Sequence, residues 1–294
     1  MAETLVGLIG GTGLGEALAE EAGAETVEVE TPFGPPSEPI RMTEIAGQRV
    51  AVVARHGQGH GLSPSRVPYR ANVFAMKTLG VTHILASTAC GSLRDTITPR
   101  DLVVCDQVID RTVRPGKTFF DDLAVHVPFA DPFCPNLRGL LIECGMEMET
   151  TVHTRGTYVC MEGPQFSTRA ESLLHRQWGA DLVGMTCMPE AKLAREAEIC
   201  YALVAVPTDY DCWKPHEPGE SPDAILESIL ANLQTGTDAA NALINAAVPR
   251  VAEAAGPGCG CGSALKRAIW TEKANIPAET VERLKPLLGK YVSG

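Results

Sequence analysis

Positive charge is scarce in this sequence. Its 25 lysines and arginines are outnumbered by 36 aspartates and glutamates, leaving a formal net charge of −11 over 294 residues. A surface of that sign repels polyanions, so nucleic acid is not an expected partner. Long apolar runs are missing too. No stretch approaches the roughly 20 residues that a bilayer crossing needs, which argues against a membrane protein. The opening "MAETLVGLIGGTG" has Glu3 where a secretory leader would carry positive charge, so the expected location is the cytoplasm. There is also no Pro-, Ser- or Gly-rich linker, internal repeat or low-complexity tract. We therefore expect one domain over residues 1–294, with 220–294 a helical C-terminal part packed on the same core.

What the chain does have is a series of short runs rich in Val, Ile and Leu. "LVGLIG", "RVAVVA", "THILAS", "DLVVCD", "GTYVC", "DLVGM" and "ALVAV" recur up to about residue 210 and read as strands buried on both faces. Helical stretches separate several of them, for example "VPYRANVFAMKTLG" and "STRAESLLHRQWGA". The alternation predicts an α/β fold with a central mixed, largely parallel β-sheet flanked by helices. After Pro222 the periodicity turns helical and strand signals stop.

Ligands of such sheets gather at the carboxyl ends of the strands. There the sequence offers "GGTGLG", "RHGQGH", "STACGS" and "TCMPE", which supply hydroxyls, backbone N–H groups and fixed positive charge. These groups suit an anion. The glycine loop matches neither common phosphate template: counted from Gly11, the dinucleotide pattern needs glycine where Glu16 stands, and no Gly-Lys-Ser/Thr follows. What remains is either a phosphate-holding nest around Thr12 or a tight turn capped by it. Arg55 follows "VAVVA" and is expected to point out of the sheet end, where its planar fork suits a phosphate. Thr88 ends a third strand, and His56 and His60 flank the Arg55 loop as ligands or as structural histidines.

Ten cysteines raise the question of disulfides or metal. Cys90, Cys105, Cys160, Cys187 and Cys200 lie in or beside apolar runs and read as small core hydrophobes. Cys259 and Cys261 sit one residue apart in "GPGCGCGS". They read as surface thiols, a labile disulfide or half a metal site, and no neighbouring His or Cys cluster completes a tetrahedral set, so no metal is expected.

Taken in order, "GLIGGTGLG", "ARHGQGH", "STACGSL", "DQVIDRT", "HVPFADPFCP", "EGPQFSTRAES" and "PTDYDCW" resemble the 5′-methylthioadenosine phosphorylase branch of the trimeric purine nucleoside phosphorylase family, over about residues 5–215. The resemblance implies a phosphate site at Thr12, Arg55, His56, Thr88, Ala89 and Thr186. It implies Met185 against the ribose, and Phe166 and Ser167 along the purine. His126 matches a histidine that a neighbouring subunit lends to the 5′ pocket, which implies a homotrimer with active sites at subunit interfaces. Inorganic phosphate would be a co-substrate, with no metal or organic cofactor.

Asp209 and Asp211 then distinguish the base. Adenine offers N7 as an acceptor and its 6-amino group as a donor, which a protonated Asp and a carboxylate oxygen complement. A 6-oxopurine would set its carbonyl against that carboxylate and call for an Asn instead. Asp209 is the expected general acid at N7: a free Asp has a pKa of about 3.9, and burial raises a carboxyl by as much as about 3 to 5 pH units. The competing readings are a 6-oxopurine nucleoside or methylthioinosine phosphorylase, a nucleosidase that uses water, an NAD-dependent dehydrogenase, and a redox or metal module built on Cys259 and Cys261.

Overall fold

Each apolar run becomes a strand. The computed structural model describes residues 4–11, 25–215, 219–254 and 259–292. Their strands are β1 (Leu5–Gly10), β2 (Glu25–Val27), β3 (Ile40–Ile45), β4 (Gln48–Ala54), β5 (Val81–Ser92), β6 (Leu102–Val104), β7 (Gln107–Asp110), β8 (Val152–His153), β9 (Thr157–Cys160), β10 (Leu182–Gly184) and β11 (Cys200–Asp209). The seven runs supply β1, β4, β5, β6, β9, β10 and β11. The other four are short or carry polar residues, so they lack the buried-strand signal.

All eleven belong to one sheet. Parallel pairings link β4 to β1, β1 to β5 and β5 to β11, and these strands form its centre. β6–β8, β7–β9 and β9–β10 are parallel too. Antiparallel joints occur at β2–β3, β3–β4, β6–β11 and β5–β10, so the sheet is mixed, as expected.

The central strands are buried on both faces with a period of two. Tyr201, Leu203 and Ala205 of β11 join one apolar cluster, whereas Ala202, Val204 and Val206 join the other. Over the first face lie α1 (Tyr69–Thr78) and α4 (Cys187–Glu196), with Leu287 and Leu288 of the C-terminal helix α8 (Lys285–Val292) and Leu284, which joins it to α7 (Ala278–Arg283). Over the second lie α2 (Pro135–Gly145) and α5 (Pro222–Ala247), with the one-turn α6 (Val251–Ala254) following. Each fully buried Leu, Ile or Val contributes about 1.5–3 kcal/mol relative to an exposed one, which holds these helices on the sheet.

Local signals fix the helix starts near the site. Thr168 caps α3 (Arg169–Gln177) by accepting from the Glu171 N–H, while Glu171 accepts from the Thr168 N–H, a reciprocal capping box. Ser221 caps α5 in the same sense, with Pro222 in the first turn, where its missing N–H is harmless. The helix expected over "LGEALAEEAG" lies outside the described residues.

At the end of β11 the ladder slips. Pro207 pairs with Cys90, but Asp209, not Thr208, pairs with Gly91. Proline has no N–H for the ladder, and the extra residue makes a bulge that re-aims the strand end. Thr208 and Asp209 are delivered to a cavity as a result.

Candidate active site

A cavity of about 360 Å³ opens at the carboxyl ends of the central strands. His56, Thr88, Ala89, Phe166, Ser167, Met185, Thr186, Asp209 and Asp211 all line it. Residues predicted from separate stretches of the chain thus come together. Thr12 lies outside the described residues, although Gly11 beside it borders the cavity.

One polar group lining the cavity is a pair of threonines. Thr88 Oγ1 and Thr186 Oγ1 lie 2.8 Å apart, and Thr186 directly precedes α4, whose backbone leaves helical geometry once, at Met188. The Thr186 hydroxyl makes no capping hydrogen bond to that helix. His56 stands beside this pair, its Nδ1 2.7 Å from the Leu62 carbonyl and its ring stacked on His60 at 4.1 Å. A carbonyl only accepts, so Nδ1 carries the proton and Nε2 is left as an acceptor when the ring is neutral. Burial lowers the His56 pKa to about 4, against a smaller opposing contribution from the Leu62 hydrogen bond, and Arg55 and His60 push it the same way as burial. The ring is therefore neutral at neutral pH.

Arg55 corrects the sequence reading. Its side chain does not point out of the sheet end with an open fork; it is fully buried and gripped by Glu190, with Nε–Oε2 and Nη2–Oε1 both 2.8 Å. Nη1 donates to the Ser87 carbonyl at 3.0 Å and Nη2 also to Ile9 at 3.4 Å. Burial alone would lower the arginine's pKa, but Glu190 more than offsets this and holds it charged. Nη1 stands 3.6 Å from where a Gly11 Cβ would be, so the guanidinium lies close to Gly11. Glu190 was not legible as a site residue; the only hint was its place in "TCMPE" after a strand.

The acids form the other polar group. The Asp211 N–H donates to Asp209 Oδ1 at 3.0 Å, and Asp211 adopts φ 43°, the left-handed region that Asp tolerates better than most residues. Its Oδ2 is buried and has no hydrogen-bond partner among the described residues. Gly91 makes room for the pair: a Cβ there would stand 3.0 Å from Asp211 Cβ and 3.1 Å from Asp209 Oδ1. Behind the acids, the Trp213 indole donates to the Ser92 carbonyl at 2.8 Å and the Arg176 guanidinium lies 3.6 Å over its ring. The Cys212 thiol donates to the Ser167 carbonyl at 3.2 Å. The acid turn and the Phe166–Ser167 loop are thereby tied together.

Apolar walls complete the cavity. Phe166 stands at its mouth with 83% of its surface exposed. Met185 lies against Gly163, whose φ is 68° and whose Cβ, if present, would come within 2.5 Å of Met185 Sδ. Ile229 and Leu233 of α5 and Thr208 of the bulge also line the space. Sequence periodicity placed the first two on a helix but gave no sign that they face this cavity.

His126 is not brought to the cavity of its own chain. It borders a separate hollow with Gly260, Ser263 and Arg267, its ring edge-on to Trp270 at 4.8 Å. The cysteine readings divide. Cys90, Cys105, Cys160 and Cys187 are buried, and burial raises each thiol, as inert core residues require. Cys259 and Cys261 are not surface thiols: Cys261 is buried and Cys259 half-buried. The expectation that no cluster completes their set is also overturned, because Cys134 and Cys200, distant in sequence, meet them in space.

The chain belongs to the phosphorylase superfamily, whose family model matches residues 5–249. Within it, the chain is 47% identical over 291 residues to the S-methyl-5′-thioadenosine phosphorylase of Gloeobacter violaceus, covering 97% of this chain and 95% of that one. It is equally similar, 47% over 292 residues, to the enzyme of the same name from Geobacter sulfurreducens, with 99% and 100% covered. A methylthioadenosine phosphorylase from an antarctic soil metagenomic library superposes with a TM-score of 0.88 at 46% identity, over 98% of this chain and 100% of that one. A variant of the Schistosoma mansoni adenosine/methylthioadenosine phosphorylase in complex with methylthioadenosine superposes with a TM-score of 0.81 at 33% identity, over 92% and 100%.

Proposed function

We infer that this chain cleaves 5′-methylthioadenosine with inorganic phosphate, releasing adenine and 5-methylthioribose 1-phosphate. The observation that carries the reading is one cavity lined both by the threonine pair Thr88 and Thr186 and by the acids Asp209 and Asp211. Phosphate takes the first group. The adenine edge takes the second, with the buried, unpartnered Asp211 Oδ2 accepting from the 6-amino group.

The step balances as follows. The C1′–N9 bond breaks and its electron pair moves into the purine, Asp209 gives a proton to N7, and a phosphate oxygen forms the new bond to C1′. General-acid assistance of this kind is worth about 10²–10⁴ in rate. Thr88, Thr186, the Ala89 backbone, His56 and, in our reading, Thr12 hold the phosphate. With Nε2 bare, His56 accepts a phosphate O–H. Arg55 supplies fixed positive charge beside Gly11. No metal or organic cofactor enters these steps.

Met185 packs against the ribose, Phe166 and Ser167 lie along the purine, and Ile229 and Leu233 present an apolar wall that suits a methylthio group better than a hydroxyl. The placement of His126 away from its own cavity agrees with its being offered to a neighbouring copy, and we propose a cytoplasmic homotrimer serving purine and methionine salvage. The deciding test is adenine release from 5′-methylthioadenosine, with and without phosphate, beside methylthioinosine. Release that requires phosphate and neglects the inosine analogue supports the reading. Release without phosphate makes the chain a hydrolase, and preference for the inosine analogue overturns the roles of the acids.

A further inference from the structure

Four cysteines from three distant parts of the chain meet where β11 begins, far from the cavity where it ends. Cys200 opens β11, Cys134 is the N-cap of α2, and Cys259 and Cys261 belong to the stretch that leads into the C-terminal helices. Their sulfur atoms all lie within 4.8 Å of one another, and Cys200 and Cys259 are 3.5 Å apart. A tetrahedral ion with metal–sulfur bonds of about 2.3 Å sets its ligands about 3.8 Å apart, so a small contraction would close this group on one ion. Two disulfides would instead split the set into couples about 2.05 Å apart. Here each sulfur neighbours the other three.

We propose that Cys134, Cys200, Cys259 and Cys261 bind one divalent ion of the zinc class as a structural tetrathiolate site. All four positions are taken by protein, which leaves none for a substrate and separates this site from the chemistry at the cavity. On binding, the four thiols release their protons to solvent and leave a centre of charge −2. The surroundings favour that charge. Cys134 stands at the N-cap of α2, where the helix end carries partial positive charge, and the Arg195 guanidinium donates to the Pro132 carbonyl two residues before it. Arg195 also donates to the Asp131 carbonyl at 2.7 Å and the Pro128 carbonyl at 3.1 Å, fixing the loop that delivers Cys134.

The ion would act as a clasp. Beyond Cys261 the chain lays Leu265, Leu284, Leu287 and Leu288 on the sheet, and Lys290 donates back to the Gly262 carbonyl at 2.9 Å. Metal binding is folding free energy when the ligands come from separate segments, so the clasp would hold this segment against the sheet.

The test uses the full chain, purified from zinc-supplemented medium and, separately, reduced under chelator and titrated with Co²⁺ alone. We expect one zinc per chain and a cobalt form with strong thiolate charge-transfer and tetrahedral d–d absorption. Cys259→Ser and Cys261→Ser should lose the ion and unfold at a temperature several degrees lower, with adenine release little changed at ordinary temperature. The cobalt spectrum of the unsubstituted chain decides the matter even if a variant fails to fold. A folded, fully reduced chain that takes up no cobalt overturns the proposal, as does protein that carries the four sulfurs as two disulfides and binds no metal after reduction.

Discussion

The two ends of β11 work in different ways. Its ten residues, at about 3.3 Å each, separate Cys200 from Asp209 by about 30 Å. At the Asp209 end, residues from neighbouring strand tips converge on a cavity and keep polar atoms available: an acceptor on Asp211, an uncommitted nitrogen on His56, and the paired hydroxyls of Thr88 and Thr186. At the Cys200 end, side chains converge only on one another, and Arg195 and a helix cap surround them. A binding site leaves polar groups unsatisfied toward the space the ligand will fill, whereas a structural site satisfies its own groups.

Four substitutions or conditions sharpen this contrast. The largest effect on turnover is expected from Asp209→Asn, which should slow adenine release by about 10²–10⁴ and improve tolerance of 6-oxopurines; a rate near that of the parent would remove Asp209 as the acid. Glu190→Ala strands the fully buried Arg55 without its carboxylate. Breaking such a pair costs about 3–5 kcal/mol, and thermal unfolding together with the phosphate KM should report it. Unchanged stability and phosphate dependence would mean that the ion pair supports neither the fold nor the anion end. Gly91→Ala inserts a methyl against both acids and should cost about 1–3 kcal/mol, felt mainly in kcat, because the crowding falls on the catalytic turn. A loss confined to stability would place the strain in the strand and not in the acids.

The smallest effect is one of pH. The folded-state pKa of His56, about 4, lies below the ordinary value of 6.5. The unfolded chain therefore binds this proton first, so the stability contributed by the neutral ring is present above about pH 6.5 and lost as pH falls toward 4. His56→Gln should flatten that part of the stability profile. An unaltered slope would show that the ring is not held neutral.

How much of this was legible follows from the same comparison. The central strands were readable because residues buried on both faces of a sheet leave continuous apolar runs. The cavity lining was readable because the runs are followed by the polar residues they present, so Thr88 could be named by position, while Thr186 came from the family resemblance and Asp209 and Asp211 gained their role only beside it. β2, β3, β7 and β8 were not, since short strands carrying polar side chains look like loops. Arg55 was found but misaimed, because its partner Glu190 is 135 positions away and no local pattern announces a long-range ion pair. The cysteine cluster was missed for the same reason. Cys259 and Cys261 show half a ligand set, while Cys134 and Cys200 sit in apolar surroundings that read as core. Only the packing of α2 and the C-terminal stretch against β11 brings the halves together.

The origin of the cavity walls bears on how such an enzyme can diversify. On the proposed function, the base is met by residues at the end of a sheet strand, where the ladder bulge, Gly91 and Trp213 all constrain what side chain fits. The same proposal sets the opposite portion of the nucleoside against Ile229 and Leu233, on the part of α5 that precedes its buried C-terminal turns. These two side chains make no hydrogen bonds, whereas Asn232 between them donates to the Thr208 carbonyl beside Asp209, so a change confined to Ile229 or Leu233 leaves the polar contacts of the acids and the threonine pair in place. Preference at the sugar's 5′ position is therefore free to drift between descendants while recognition of the purine stays fixed, and specificity for the two halves of one substrate can evolve on separate schedules.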